Sequence, residues 1–171
     1  PASINNCRWK GKLWGLPQLT SPRHYCYRKD ITDEVGVEIS DEWTWDDMLD
    51  AAGKLTIIED GKLVRMGCTY ANDMQEWWGV LSAFGGELIM NSKAAFNDEA
   101  GLASLEWVKA RNHAVSPEGT APLAESPIPY IATGQLVIGY GHAGVHWTNV
   151  KRYAPEHTED IVVPQPPLKA R

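Results

Sequence analysis

Strand-like and helix-like segments alternate along most of this chain. Residues 136–140 form an apolar run typical of a buried strand, whereas the segment from Trp45 repeats apolar residues at helical spacing. Thr44 and Asp47 form the pattern of a capping box at the start of that helix. Such alternation predicts the α/β class, and 171 residues suffice for one domain of this kind.

The stretch "VIGYGHAGVHW", residues 137–147, has the glycine spacing of a dinucleotide-binding fingerprint. A true dinucleotide site also needs an acidic residue about 20 positions on, at the end of the next strand. The next strand-like run, residues 161–163, is followed by a proline and a glutamine, and its neighbouring acids precede it. We therefore expect a tight strand-to-helix turn here. A nucleotide-binding enzyme domain that uses residues 139–144 is the less favoured alternative.

No pattern in the sequence demands catalysis or a metal. His142 and His146 are spaced as one helix face requires, but a zinc site of the HExxH type is not present. The three cysteines lack CxxC spacing, and Cys26 and Cys68 fall in strand-like runs, which predicts small buried thiols. Acid pairs such as the one at Asp160 are typical of solvated turns. We expect neither enzymatic activity nor a cofactor.

Charge and hydropathy limit the classes of partner. The net charge of −6 argues against nucleic acid, because phosphate backbones attract basic surfaces. No apolar run approaches the roughly 18 residues that a membrane-spanning helix needs. We therefore expect no nucleic-acid partner and no membrane insertion by this segment.

Several landmarks in order resemble one family, the family 1 extracellular solute-binding proteins, which include the maltose-binding-type receptors of ABC sugar importers. "GKLWGLPQLTSPRHYCYRKD" is similar to their "GK-x-x-GLP … YYNKD", and "DEWTWDDMLDAAGKLT" to "P-x-TWDELLEAAKKLT". "WWGVLSAFGGELI" resembles their "W-x-x-x-L-x-x-x-GG-x-x" helix, and "FNDEAGLASLEWVKA" resembles "F-x-S-PEAVEALEFL". "ATGQLVIGYGHAGVHW" and "DIVVPQPP" are similar to "ASGKVAMVIGGPWA" and "YGVAPLP".

The resemblance implies one lobe of a periplasmic-binding-protein-like type II fold, a mixed sheet flanked by helices. Residues 1–171 would form the C-terminal lobe of a two-lobe receptor, with hinge crossings near residues 15–18 and 163–167. It also implies an ABC permease partner for the intact receptor, and a periplasmic or extracellular location, with a lipoprotein anchor in the intact form. The ligand would be a mono- or oligosaccharide.

The resemblance also suggests which residues contact the ligand, although its exact pattern is not kept. Asp73 matches a ligand-contacting acid, whereas aromatic rings of the family are replaced at Gln75 and Glu76; Trp77 is then expected to supply a stacking surface. At the position of a hinge-proximal acid stands Ser21, with Arg23 close by. The family's stacking tryptophan falls on Gly144. The expected ligand-binding set is therefore Ser21, Arg23, Asp73, Glu76, Trp77, His142, His146 and Trp147.

A third interpretation is a plain protein-interaction module. The chain has eight tryptophans, more than its core requires, and exposed indole rings suit a protein partner as well as a sugar. A dimer that forms through the ligand-cleft face and is lost in Trp77→Ala would favour this interpretation.

Overall fold

The structure, a computed structural model, describes residues 2–18, 22–70 and 74–168. Its helices are α1 (Ala2–Asn6), α2 (Lys29–Val35), α3 (Trp45–Leu55), α4 (Met74–Ala83), α5 (Glu99–Val115), α6 (Tyr130–Thr133) and α7 (Ala143–Tyr153), with a 3-10 helix at Pro155–Asp160. Its strands are β1 (Arg8–Trp9), β2 (Lys12–Leu13), β3 (His24–Arg28), β4 (Ile57–Glu59), β5 (Lys62–Cys68), β6 (Ile89–Met90), β7 (Lys93–Ala94), β8 (Leu136–Gly141) and β9 (Ile161–Val162). The α/β class predicted from the sequence is confirmed.

A mixed five-stranded sheet in the order β4-β5-β8-β3-β9 forms the centre of the fold. β5 and β8 run parallel, whereas β3 is antiparallel to both of its neighbours, β8 and β9. His24 pairs with Gly141, so β3 begins where β8 ends. We call this the upper end of the sheet, toward which β5, β8 and β9 run, and the opposite end the lower end.

Helices cover both faces of the sheet. Successive residues of a strand point to opposite faces, and β3 shows this directly. Tyr25 and Tyr27 pack into a core cluster with residues of α3, α4 and α5, whereas Cys26 belongs to a second cluster with α6 and α7. Cys26 and Cys68 are fully buried, as the sequence predicts, and burial raises the pKa of each thiol to about 12.

The predicted capping box of α3 is confirmed. The backbone N–H of Asp47 donates to Thr44 Oγ1 at 3.1 Å, and the Asp47 carboxylate accepts from the Thr44 backbone N–H at 2.8 Å. Leu168 binds the backbone on both sides of this cap. Its carbonyl accepts from the N–H of Trp45, and its own N–H donates to the carbonyl of Trp43. The segment after β9 is therefore fixed against the first turn of α3.

Two strands are shorter than the sequence predicts. The apolar run of residues 12–16 before Pro17 predicts a strand, but only Lys12–Leu13 forms one, and it pairs with Arg8–Trp9 in a separate hairpin. The aromatic run from His24 to Asp30 also predicts a strand, which ends at Arg28, where α2 begins at Lys29. The lysine and the acid that follow Arg28 suit a first helical turn as well as a strand end.

Apolar residues at helical spacing predict Leu102, Leu105 and Val108 on the inner face of α5. Val108 does pack against the core, but Leu102 and Leu105 expose 60% and 50% of their surface. The buried face instead carries Ser104, Trp107 and Arg111. Polar contacts decide the orientation, since Ser104 accepts from the indole N–H of Trp77 and Arg111 forms a buried ion pair.

Candidate functional site

The upper end of the sheet brings together segments that lie far apart in the sequence. β5 ends beside Ile138 of β8, whose carbonyl accepts from the N–H of Thr69 at 2.8 Å, and β8 continues to Gly141. The start of β3 and residues 164–167 meet at the same end. In open α/β sheets, ligands bind just outside the carboxyl ends of the strands. The geometry therefore makes this end the candidate site.

A cavity of about 160 Å³ lies at the upper end, on the face covered by α3 and α4. Its lining consists of Arg23, His24, Tyr25, Trp45, Gly79, Ala83, Tyr140 and residues 164–167. By liquid volume it holds about five water molecules. The walls are mostly apolar, with polar groups at the rim, which is the usual composition of a small-molecule site.

Arg23 is the one residue of the sequence-predicted set among the lining residues of this cavity. Its guanidinium carbon lies 5.9 Å from the centre of the Tyr140 ring, within cation–π range, and its side chain is exposed. The Tyr140 ring also lies 5.0 Å from that of Tyr25. The rim of the cavity thus combines a cation with aromatic rings.

Glu76, expected to contact a ligand, lies in the core. Its carboxylate Oε1 accepts from Nη1 of Arg111 at 2.6 Å and from the hydroxyl of Tyr25 at 2.9 Å. Glu76 exposes 3% of its surface and Arg111 none. Burial, followed by the charge of Glu76, raises the pKa of Tyr25 well above its usual value. The structure therefore gives Glu76 a structural role, and we do not retain it in the site.

The two adjacent tryptophans of α4 have the reverse of the expected placement. Trp77 is half-buried: its indole N–H donates to Ser104 Oγ at 2.9 Å, and its ring packs edge-on against Phe96 at 5.5 Å. Trp78 exposes 53% of its surface and directly precedes Gly79, which lines the cavity. Adjacent helical residues point about 100° apart, so one ring packs inward and the other outward, as predicted.

His146 explains the glycines of β8. A Cβ added to Gly139 would lie 3.1 Å from the His146 ring, and one added to Gly141 would lie 3.2 Å from it. Gly141 also has φ +150°, a conformation that favours glycine. The ring hydrogen-bonds the backbone of Tyr140, and burial lowers the pKa of His146. The glycines therefore accommodate an imidazole against the strand.

The start of α7 carries the remaining candidates. His142 is the N-cap residue, half-buried, and its side chain makes no cap hydrogen bond. Trp147 exposes 40% of its surface, and the Lys151 ammonium lies 4.6 Å from the centre of its ring. Gly144 has open space where a side chain would begin. Ser21 and Asp73 lie outside the described residues.

Sequence reasoning missed Tyr140 and Trp45, which line the cavity, and the exposed Trp78, which directly precedes the cavity-lining Gly79. Tyr140 lies within the strand that precedes the glycine turn, and its position near the strand's carboxyl end was an available signal. Trp45 was assigned to the core, and with an exposure of 5% it is indeed buried, although its ring forms part of the cavity wall. No local signal separated Trp78 from Trp77.

Comparison with known proteins identifies a family for most of the chain. A family model described as "Bacterial extracellular solute-binding protein" matches residues 2–167. No curated protein matches the chain significantly. Within the residues that the structure describes, no helix is both long and apolar enough to cross a membrane.

Solved structures share the fold. An ABC transporter solute-binding protein from Thermotoga lettingae, bound to α-D-tagatose, superposes with a TM-score of 0.75 and 24% identity over 100% of this chain and 45% of its own. The GacH receptor of Streptomyces glaucescens, solved unliganded and with acarbose, superposes with a TM-score of 0.72 and 19% identity over 99% of this chain and 43% of its own. A sugar transporter from Arthrobacter chlorophenolicus, with bound laminaribiose, superposes with a TM-score of 0.69 and 15% identity over 99% of this chain and 42% of its own. The chain therefore spans less than half the length of these proteins.

Proposed function

Because this chain belongs to the bacterial extracellular solute-binding protein family, we propose that it forms the ligand-binding lobe of a receptor for an ABC importer. The ligand we propose is a mono- or oligosaccharide, because several structural relatives were solved with bound saccharides. The function is binding and delivery rather than catalysis. The receptor would work in the periplasm or outside the cell, as a lipoprotein in its intact form, and pass its ligand to the permease subunits.

The observation that carries the proposal is the cavity at the upper end of the sheet, with aromatic rings beside it. Sugar rings stack their apolar faces on aromatic side chains, and their hydroxyls bind a few fixed polar groups. Tyr140 offers a ring in the cavity wall, and Arg23 offers donors there. Trp78, directly before the cavity-lining Gly79, and Trp147, at the start of α7, are exposed rings. The first turn of α7 adds backbone N–H groups that suit ligand oxygens.

We further propose that the chain is the C-terminal lobe of a two-lobe receptor. The two segments expected to cross the hinge, near residues 15–18 and 163–167, lead into the start of β3 and out of the end of β9. Residues 164–167 line the cavity beside Arg23 and His24 at the start of β3, which supports a crossing at this end. Closure of such lobes is the change that a transporter would recognise. One lobe provides half of the cleft, so we expect this chain alone to bind weakly.

The proposed ligand-contacting set is Arg23, Tyr140, Trp78, His142 and Trp147. Ser21 and Asp73 remain predictions from the resemblance. Trp77 and His146 stabilise the fold around the site, because the Trp77 indole hydrogen-bonds Ser104 and the His146 ring hydrogen-bonds the backbone of Tyr140. A lost stacking ring at Gly144 is then replaced by Trp78 or Trp147.

Nuclear magnetic resonance of the indole N–H groups tests the proposal at low affinity. We would titrate D-tagatose, mannobiose and laminaribiose into the ¹⁵N-labelled chain and follow the eight tryptophan side-chain peaks. We expect at least one saccharide to shift the peaks of Trp78 or Trp147, assigned by Trp→Phe variants, and Trp147→Ala to weaken binding. Tyr153→Ala is the matched control, because it removes an exposed cation-bound ring at the far end of the same helix.

Three further measurements distinguish the alternatives. Thermal stabilisation by NAD or ATP, with no response to any saccharide, would favour a nucleotide-binding enzyme and contradict the receptor proposal. A dimer that forms through the upper end, and is lost in Trp77→Ala, would favour the protein-interaction module. Calorimetry that shows tight saccharide binding by this chain alone would contradict the half-cleft interpretation.

A further inference from the structure

A cluster of three metal-ligating side chains lies at the lower end of the sheet, away from the candidate site. Asp30 stands in the first turn of α2, and His157 and Asp160 belong to the 3-10 helix before β9. One donor atom of each residue lies within 4.8 Å of the other two. Antiparallel pairing of β3 with β9 brings these distant parts of the sequence together.

The separations between the donor atoms match the edges of a coordination polyhedron. Nδ1 of His157 lies 2.9 Å from Asp160 Oδ2 and 3.3 Å from Asp30 Oδ2. Metal–ligand bonds of about 2.1 Å place neighbouring ligands about 3.0 Å apart in an octahedral site and about 3.4 Å apart in a tetrahedral one. A single imidazole N–H, by contrast, can be donated fully to only one of the two carboxylates.

Asp30 is held in place by a second layer of hydrogen bonds. The buried Arg28 donates from Nε to Asp30 Oδ1 at 2.8 Å and from Nη2 to Oδ2 at 2.6 Å. Its Nη1 donates to the carbonyl of Ile131, which fixes the guanidinium itself. Carboxylates that bind metals are commonly oriented by such outer partners. Arg28 offsets the charge of Asp30, and Asp160 is then the carboxylate that balances an incoming cation.

The cluster is accessible and has room for water ligands. Asp30, His157 and Asp160 expose 26%, 36% and 33% of their side-chain surfaces. The neighbouring cation, Lys29, has its ammonium paired with Asp33 on the same helix. One imidazole with two carboxylates suits a first-row divalent transition metal, whereas Mg²⁺ prefers oxygen ligands alone.

We propose that Asp30, His157 and Asp160 bind a divalent transition-metal ion of the Zn²⁺ type, which clamps α2 to the 3-10 helix before β9. This departs from the expectation of no metal, because Asp160 looked like part of a solvated turn. The site is independent of the saccharide site. Because the folded chain binds the ion and the unfolded chain lacks the site, bound metal raises the temperature of unfolding.

Thermal unfolding of the tag-free chain, stripped with EDTA and then titrated with ZnCl₂, tests the proposal. We expect Tm to rise with the logarithm of zinc concentration and to respond little to MgCl₂. Asp160→Asn and His157→Gln should each weaken zinc binding by about tenfold or more. The readout is the zinc-induced shift within each variant, so a changed baseline stability does not obscure it.

His142→Gln is the matched control, since His142 and His146 form the other histidine arrangement with metal-like spacing. The zinc response should survive this change. Loss of the response in His142→Gln, retention of the full response in His157→Gln, or no response of the wild type to ZnCl₂ would each overturn the proposal.

Discussion

Oε1 of Glu76 lies 2.6 Å from Nη1 of Arg111 in the interior, joining α4 to α5 across 35 residues of sequence. Removing one partner of a buried pair leaves an uncompensated charge, which typically costs about 3–5 kcal/mol. We therefore expect Glu76→Ala to lower the free energy of unfolding by about that amount in urea denaturation.

Two variants test whether this cost belongs to the pair. Gln75→Ala, at the exposed neighbouring position, should change stability little. The double variant Glu76→Leu, Arg111→Met should lose less than the sum of its single changes, because it leaves no unpaired charge. If Glu76→Ala kept full stability but lost saccharide affinity, Glu76 would be a ligand contact, as the resemblance suggested.

The glycines of β8 give a second prediction. Gly139→Ala places a methyl group against the His146 ring and the Ile131 side chain, so we expect a loss of about 1–3 kcal/mol. Gly144→Ala is the control: it meets open space in a helix, and we expect it to be neutral or to stabilise by up to about 1 kcal/mol. In a His146→Ala background the cost of Gly139→Ala should shrink. Equal costs for the two glycines would contradict the account.

Acid should weaken the fold through His146. Burial lowers the pKa of His146 below 6.5, so the unfolded chain takes up this proton before the folded chain does. The stabilisation is fully present above the unfolded pKa and is lost as pH falls through the folded one. A single group changes stability by at most about 1.4 kcal/mol per pH unit. Between pH 7.5 and 5.5, the unfolding free energy of His146→Gln should fall less steeply than that of the wild type.

Asp30 does not interfere with the pH dependence measured for His146, because its own effect on stability appears at lower pH. Burial opposes the change, but hydrogen bonds and charge from Arg28 lower the pKa of Asp30. Its contribution is present above the unfolded pKa of about 3.9 and is lost as pH falls below that value. Parallel slopes for wild type and His146→Gln would contradict the prediction for His146.

The cap of α3 supports a fourth prediction. Thr44→Ala removes the side-chain acceptor for the Asp47 N–H, and we expect a loss of about 1 kcal/mol in thermal or urea unfolding. Thr44→Ser keeps the hydroxyl and should retain most of the stability. The hydrogen bond from the Thr44 side chain is also the main cause that lowers the pKa of Asp47. A carboxyl titration by nuclear magnetic resonance should therefore show that pKa rise in Thr44→Ala but not in Thr44→Ser.

Features set by near neighbours in sequence were the ones that could be predicted. The capping box at Thr44, the end of α4 before Gly85 and the strand-to-helix turn after Tyr140 each depend on residues within a few positions. The order of the landmarks added the family and, with it, the fold. Local chemistry and the resemblance together therefore predicted most of the architecture.

The candidate site was predicted less well, because its side chains are placed by distant partners. An acid in the first turn of α4 fits a ligand contact as well as a buried ion pair, and only the position of Arg111 decides between them. Trp77 points inward because its indole N–H donates to Ser104 and its ring packs against Phe96. Likewise, Leu102 faces outward because polar pairs occupy the inner side of α5. None of these partners is visible in a local pattern.

The position of β3 in the sheet has a consequence for synthesis. Its hydrogen-bonded neighbours, β8 and β9, are Leu136–Gly141 and Ile161–Val162, so β3 has no partner in the sheet until the residues as far as β8 have been synthesised. At translation rates of about 5–20 residues per second, the aromatic strand "HYCYR" waits unpaired for roughly 5 to 20 seconds. Pairing over such separations also makes folding slow. The sheet therefore forms long after β3 has been synthesised, and β3 is the segment that a chaperone would protect.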